Sequence, residues 1–401
     1  RAEGESAMAD VKEWDWVINR HQPAAPVAGA GVLTAAGLAA AKAEITAWPD
    51  YAPTPLHNLA GLAGALGFAR LFYKDESARF TLRSFKALGG AYAVIRQAQA
   101  FLKTRLGETV ATADIRAGRY RDALADWTVC TATDGNHGRS VAWGAQMIGC
   151  RAVIYIHAEV SAGRQQAMEG FGAEVRRIAG NYDDSVRIAA ETAAEADWVV
   201  VSDTSWPGYA AIPTDVMHGY MLMADEAIDQ LDGRVPSHVF LQGGVGGMAA
   251  AVAATFELRF GAKRPKIIVA EPSLAACLFA TAKAGAPVTI EGDLATLMAG
   301  LAAGEVSPLA WTVLRSVADG FVYVPDGDVP PLMRRLAAPA GGDPAVEAGE
   351  SALCGLAAAL RIAGEAEAAA AFQLDAASEV LIFGSEGATD PTLYAELVSA
   401  A

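Results

Sequence analysis

Cysteine is scarce in this chain: four residues in 401, namely Cys130, Cys150, Cys277 and Cys354, with no CxxC pair among them. That spacing argues against a thiolate zinc site or a disulfide framework and for a reducing cytoplasm. No apolar run reaches membrane-spanning length without a charge, and the start lacks the basic-then-apolar pattern of a secretory leader. Basic residues are also few, 31 against 46 acidic ones, for a formal net charge of −15. Nucleic acid and anionic membranes are therefore not expected as partners. A small anionic cofactor is not excluded, since it needs only local N–H groups and a few basic side chains. There is no Walker sequence and no GxGxxG dinucleotide spacing. No repeat of 20–50 residues is present, and no metal site is expected.

The composition that remains is that of a protein with a sizeable core: 53% hydrophobic and 19% charged residues. Its length exceeds one typical domain, which suggests one large or two interlocked α/β domains. The folded chain is expected from Met8 onward, with Gln22–Ala41 first a lead-in loop and then a helix of small residues. From Trp127 a strand–helix rhythm sets in. Strands are expected at 127–131, 151–157, 174–178 and 198–202, and helices at 137–148, 161–171 and 182–196. A second series has strands at 238–241, 266–270 and 380–383, with a helix at 248–260. Apolar β-branched runs alternating with helices predict two open, mainly parallel sheets flanked by helices, an α/β fold. Ligands of such folds bind outside the carboxyl ends of the strands. Asp134, Asp203, Gly243, Glu271 and Ser385 each fall at or just past a predicted strand end.

Three segments carry the chemistry. Ser84-Phe85-Lys86 runs into Ala87-Leu88-Gly89-Gly90. A lysine amine condenses with aldehydes, although an isolated lysine is more often a solvated surface residue. Gly243-Gly244-Val245-Gly246-Gly247 follows an apolar strand and opens a helix, so its N–H groups can converge on a phosphate. An aldehyde and a phosphate on one small molecule describe pyridoxal 5′-phosphate, with Lys86 as its Schiff-base partner.

Thr133-Asp134-Gly135-Asn136-His137-Gly138 lies between a strand and a helix. Asn136 can donate to the cofactor phenolate, and the helix-start N–H groups can bind a substrate carboxylate. Asp134 would repel that carboxylate unless it serves as a general base; its bland alternative is an N-cap. His137 is expected to fix the loop, with a proton shuttle as the alternative reading. Asp203, at the head of Asp203-Thr204-Ser205-Trp206, is an acid, a base, an ammonium ligand or merely a turn residue. Ser385 offers a neutral hydroxyl to the pyridine nitrogen, which favours β-elimination over transamination. Glu350 is either a group near the ring or a helix-start carboxylate. The cofactor set is thus Phe85, Lys86, Asn136, Gly243, Gly244, Val245, Gly246, Gly247 and Ser385. The substrate side is Ser84, Thr133, Asp134, Gly135, His137, Asp203 and Tyr209, with Lys86, Asp134 and Asp203 as the catalytic groups.

These segments resemble the fold-type II (tryptophan synthase β-like) pyridoxal-phosphate enzymes, and within them the diaminopropionate ammonia-lyases. The likeness runs through PTPLHNLAGLA from Pro53, SFKALGG, TATDGNHGRSVAWGAQ from Thr131, DTSWPGY and IPTDVMHGY. It continues through LQGGVGG, AEPSLAACL, ATLMAGLAAGE, GGDPAVEAGES and SEGATDP, and so covers most of the chain from about Pro53. The resemblance implies a homodimer with the active site in the cleft between two domains. A large domain would take residues 8–86 and 206–401, and a small one residues 87–205. It implies α,β-elimination from 2,3-diaminopropionate, D or L, or a close N-substituted relative, giving pyruvate and ammonia. Lys86 would act on one enantiomer and Asp134 on the other, with Asp203 the second active-site carboxylate. Ser84, Pro207 and Asp215 depart from the asparagine, glutamate and tryptophan usual in relatives, which bears on the amine substrate and not on the cofactor. Dehydration of a 3-hydroxy amino acid of the serine, threonine or 3-hydroxyaspartate type is the alternative. A non-enzymatic binding protein of this fold would have lost the lysine or the carboxylates, and all are present.

Overall fold

A computed structural model describes residues 12–24, 28–133, 135–180 and 182–399. Its strands, in chain order, begin with β1 (Asp15–Ile18), β2 (Leu56–Asn58) and β3 (Arg70–Asp75). Next come β4 (Thr128–Ala132), β5 (Arg151–Ile156), β6 (Glu174–Arg177) and β7 (Val199–Val200). The series ends with β8 (His238–Gln242), β9 (Lys266–Pro272), β10 (Gly320–Val324) and β11 (Glu379–Gly384). Seven of them form one sheet in the order β1-β10-β9-β8-β11-β3-β2, and four form a second in the order β6-β5-β4-β7. Only the edge strands β1 and β2 pair antiparallel; every other pairing is parallel. Two mainly parallel sheets were expected, and two are found.

The strands of the larger sheet are apolar on both faces, as a sheet covered by helices on both sides requires. Val239, Leu241, Ile267, Val269, Leu381 and Phe383 face one core. Their alternates Phe240, Ile268, Ala270, Val380 and Ile382 face another. The first core continues into the smaller sheet through Val129, Ile154 and Ile156. The far face of that sheet keeps only a small cluster of Cys130, Val153, Tyr155, Ala189 and Ala193.

Three helices meet beneath the site, and glycine sets how closely. A Cβ on Gly89 would lie 2.3 Å from the Tyr220 ring, one on Gly219 2.2 Å from Leu88 O, and one on Gly144 2.7 Å from Ala91 Cα. The helices Lys86–Leu106, Asn136–Ile148 and Ala211–Gln230 therefore pack nearly backbone to backbone.

Strand β3 has no apolar periodicity to announce it, because a lysine sits near its end. Lys74 is wholly buried and donates to Glu226 (2.8 Å), Thr54 O (2.7 Å) and Gln230 (2.9 Å). Arg79 joins the same cluster through Glu76 and Glu226 (2.7 Å). Two cations facing two carboxylates leave the cluster neutral, which is the condition for burying charge at all. The cluster ties β3 to the Ala211–Gln230 helix just ahead of the segment that carries Lys86.

Candidate active site

Lys86 is the first residue of its helix, and its approach is held by the end of β11. Phe85 N donates to Ser385 O (3.0 Å), Ser84 forms an isolated β-bridge with Glu386, and Lys86 N donates to Ser84 Oγ (3.3 Å). The Lys86 ammonium pairs with the Asp203 carboxylate and lies 5.3 Å and 5.8 Å from the Phe85 and Tyr220 ring centroids. Burial disfavours both charges. The attraction of each for the other outweighs it, so Lys86 is held above the usual lysine range and Asp203 below the usual carboxylate range. His137 Nε2 donates to Val201 O (2.8 Å), and its Nδ1 stands 3.9 Å from Asp203. Burial lowers its pKa, which keeps the ring neutral.

Asp134 lies outside the described residues. Around it, Thr133 Oγ1 accepts from Gly135 N (3.1 Å) and Gly138 N (3.2 Å), closing the turn onto the helix start. Asn136 Nδ2 donates to the carboxylate of Glu386, a residue that follows β11 in the other sheet. Tyr209 stacks under Trp206 with ring centroids 3.9 Å apart. Its hydroxyl donates to Val200 O (2.7 Å) and accepts from Ser202 N (3.0 Å). The hydroxyl of Tyr209 is thus committed to bracing the backbone ahead of Asp203.

The glycine loop leaves β8 and opens the helix Gly247–Phe260. Gly243 N donates to Ala270 O (2.7 Å), and Val245 O accepts from Ser307 N (2.9 Å). Ser307 Oγ also bonds Ser205 (2.8 Å to its Oγ), two residues past Asp203, so loop and carboxylate share one support. Gly246 has φ +98°, and a Cβ there would meet Ala310 and Leu314 at 3.2 Å. A Cβ on Gly244 would lie 3.3 Å from Leu301 Cα. The loop is a cradle that side chains would fill, at the N-terminus of a 14-residue helix, and such a donor set suits a phosphate. Ser385, just past the end of β11, accepts from Gln242 Nε2 (2.8 Å), which sets a neutral hydroxyl beside the last residue of β8, where the glycine loop begins. These residues fit pyridoxal 5′-phosphate.

Two groups carry no local sequence signal. Glu386 gathers Asn136, Ser351 N (3.3 Å) and Thr389 (3.5 Å) on its carboxylate. Arg164, in the helix Ala162–Glu169, donates to Glu350 (3.5 Å). Glu350 is buried, and burial together with the Glu386 charge pushes its carboxyl up to about 7. Both depend on a partner more than a hundred residues away, and only the adjacency of Glu386 to Ser385 could have drawn attention to either.

A lysine, a glycine cradle and strand-end polar groups between two parallel sheets define a pyridoxal-phosphate enzyme. Accordingly, residues 47–372 match the family described as "Pyridoxal-phosphate dependent enzyme". Over 359 residues the chain is 39% identical to diaminopropionate ammonia-lyase of Salmonella typhimurium, a match spanning 87% of this chain and 89% of that protein. The diaminopropionate ammonia-lyase of Escherichia coli K12 is 39% identical over 354 residues, 87% of each. The crystal structure of the holo Escherichia coli enzyme superposes with a TM-score of 0.87 at 35% identity, covering 96% of both chains. The chain belongs to the diaminopropionate ammonia-lyase family of pyridoxal-phosphate dependent enzymes.

Proposed function

We propose that this chain eliminates ammonia from 2,3-diaminopropionate, in the D form, the L form or both, or from a close N-substituted relative. Loss of the α proton and of the β-amine leaves a three-carbon enamine equivalent. Water hydrolyses this to pyruvate and a second ammonia, which balances the reaction. Pyridoxal 5′-phosphate, when bound, supplies the electron sink that makes the α proton acidic. The single observation that carries the reading is the Lys86–Asp203 pair set beside the glycine cradle.

Gly243, Gly244, Val245, Gly246 and Gly247 would hold the phosphate, Asn136 the phenolate, Ser385 the pyridine nitrogen, and Phe85 would flank the ring. Lys86 would be the covalent anchor and the base for one enantiomer. It must first give up its proton, and Asp203 is the neighbour that governs this. Asp134 is assigned the α proton of the other enantiomer, on the opposite face. The backbone N–H groups from Thr133 to His137, with Ser84 alongside, would bind the substrate carboxylate. His137 and Tyr209 hold the backbone on the two sides of this pocket. Asp203 and Asp134 together would balance the second ammonium of a diamino acid, a charge that serine lacks.

The proposed large domain, residues 8–86 with 206–401, is supported by its ownership of β1–β3 and β8–β11, and the small one, 87–205, by its ownership of β4–β7. All four cysteines are free thiols, which supports a cytoplasmic setting. Among the described residues no helix is long and apolar enough to cross a membrane. A homodimer is the assembly we assign.

The test is steady-state release of pyruvate and ammonia from D- and L-2,3-diaminopropionate against serine and threonine. The diamino acid should have the higher kcat/KM, and Asp134→Asn should cost one enantiomer roughly a hundred- to ten-thousand-fold more than the other. A higher kcat/KM for serine would make the enzyme a dehydratase.

A further inference from the structure

We propose that Arg164 and Glu350 are positioning residues: their ion pair across the cleft fixes the start of the Asn136–Ile148 helix, and with it the substrate. This rests on the substrate carboxylate binding at that helix start. Arg164 belongs to the helix Ala162–Glu169, which connects β5 to β6 of the smaller sheet. Glu350 opens a short turn, Glu350–Leu353, on the side of the larger sheet. The pair is close at 3.5 Å, and the side chains are only 17% and 3% exposed. Removing Arg164 takes the cation away from a buried carboxylate, so such a pair constrains geometry more than a surface one does.

What the pair constrains is shown by Gly135. A Cβ there would lie 3.3 Å from Arg164 Cδ and 3.7 Å from its Cγ and Nε. The stem of Arg164 therefore lies along the backbone just before Asn136, filling the space a side chain would take. Its guanidinium continues past that backbone to the opposite sheet. Two further contacts cross in the same direction. Asn136 reaches Glu386, and Ser161, which caps the Arg164 helix, reaches Asp390 Oδ2 (3.3 Å). Turn and helix from one sheet are fastened to one rim of the other.

The charges around Glu350 give the clamp a pH dependence. Arg164 faces it from the Ala162–Glu169 helix, Glu386 from the segment after β11, and Asp390 from the start of the last helix. Burial first, then two carboxylates against one cation around it, push the Glu350 carboxyl up to about 7. Only its ionised form pairs fully with Arg164, so the clamp is complete above that pH and loosens below it.

In the holoenzyme, Arg164→Ala should raise KM for 2,3-diaminopropionate tenfold or more while kcat changes less, because misplacement of a bound group is costly. Arg164→Lys, which keeps the charge, should recover part of the loss. The rise of wild-type KM as pH falls through 7 should flatten in Arg164→Ala and in Glu350→Gln. Hydrogen exchange of peptides 135–148 and 162–169, read with cofactor absorbance unchanged, should speed up in both variants without any turnover. Glu350→Gln is nearly isosteric and serves if Arg164→Ala does not fold. Wild-type exchange and KM in a folded Arg164→Ala would overturn the proposal. An unmutated enzyme inert toward 2,3-diaminopropionate would instead overturn the function it rests on.

Discussion

Two glycine turns in this molecule join a parallel strand to a helix, and they are held in opposite ways. The Gly243–Gly247 turn is braced from within its own sheet, by Ala270 O, by Ser307, and by Leu301, Ala310 and Leu314 packed against its backbone. The turn ahead of Asn136 is closed locally by Thr133, but its outward contacts, Asn136 to Glu386 and Arg164 to Glu350, cross to the other sheet. The first can be complete before any ligand arrives. The second is complete only when the two sheets are closed on each other. A cofactor retained through every turnover suits the first kind of support, and a substrate that enters and leaves suits the second.

The largest effect should come from separating the lysine from both turns. Lys86→Ala should lower turnover of either enantiomer by roughly a hundred- to ten-thousand-fold while the glycine cradle still takes up the cofactor non-covalently. Borohydride reduction of the unmutated enzyme, followed by peptide mapping, should place the pyridoxyl group on Lys86. A label on a different lysine would dismantle the assignment.

An intermediate effect should distinguish the turns directly. Gly246→Ala forces a side chain onto φ +98° and into Ala310 and Leu314 at 3.2 Å. It should cost about 1–3 kcal/mol of stability and weaken cofactor binding. Gly135→Ala meets only the flexible stem of Arg164, at 3.3 Å. That variant should keep the cofactor and lose substrate affinity. Thermal denaturation alongside cofactor titration checks both, and equal cofactor loss in the two variants would erase the contrast.

The last effect concerns stability and pH. The carboxyl of Glu350 is ordinary when unfolded, near 4.5, and rises to about 7 when folded. Whatever stability its neutral form contributes is present below 4.5 and is lost as pH rises through 7. Glu350→Gln should therefore stabilise the protein at pH 8 by an amount on the order of 3 kcal/mol, read as a higher Tm than that of the unmutated protein, and the gain should shrink toward pH 5. A gain independent of pH would mean that Glu350 is not the titrating group. A more stable variant with poorer substrate affinity would show a cost accepted for the closed cleft.

Much of this was legible because it is local. The alternation from Trp127 to Ser202 and from His238 to Phe383 lies in runs short enough for side-chain periodicity to declare strand or helix. All eleven of these strands and helices stand within two residues of their observed bounds. Strand β7 is shorter than expected, Val199–Val200 alone, because it is the last strand of its sheet and pairs only with β4. Lys86 and the Gly243–Gly247 loop could be proposed because the features that single them out lie in consecutive residues.

Other elements were missed for one shared reason: a charge in an apolar setting looks like a surface residue until its partner is known. Lys74 hides β3 because Glu226, which neutralises it, lies 152 residues along the chain. Arg164 carries no signal in its own segment, since Glu350 is 186 residues away. Gly89 read as part of a chemical motif, and its neighbour Tyr220 shows it to be a packing contact.

By itself, then, the sequence determined the α/β class, the cofactor chemistry and the order of the three site segments, because each depends on periodicity or on residues in a row. The tertiary structure alone decided which charges are buried and in whose company, from Lys86 against Asp203 to Glu350 between Arg164 and Glu386. The free energy of an ion depends on what surrounds it in space, and chain order does not encode that distance.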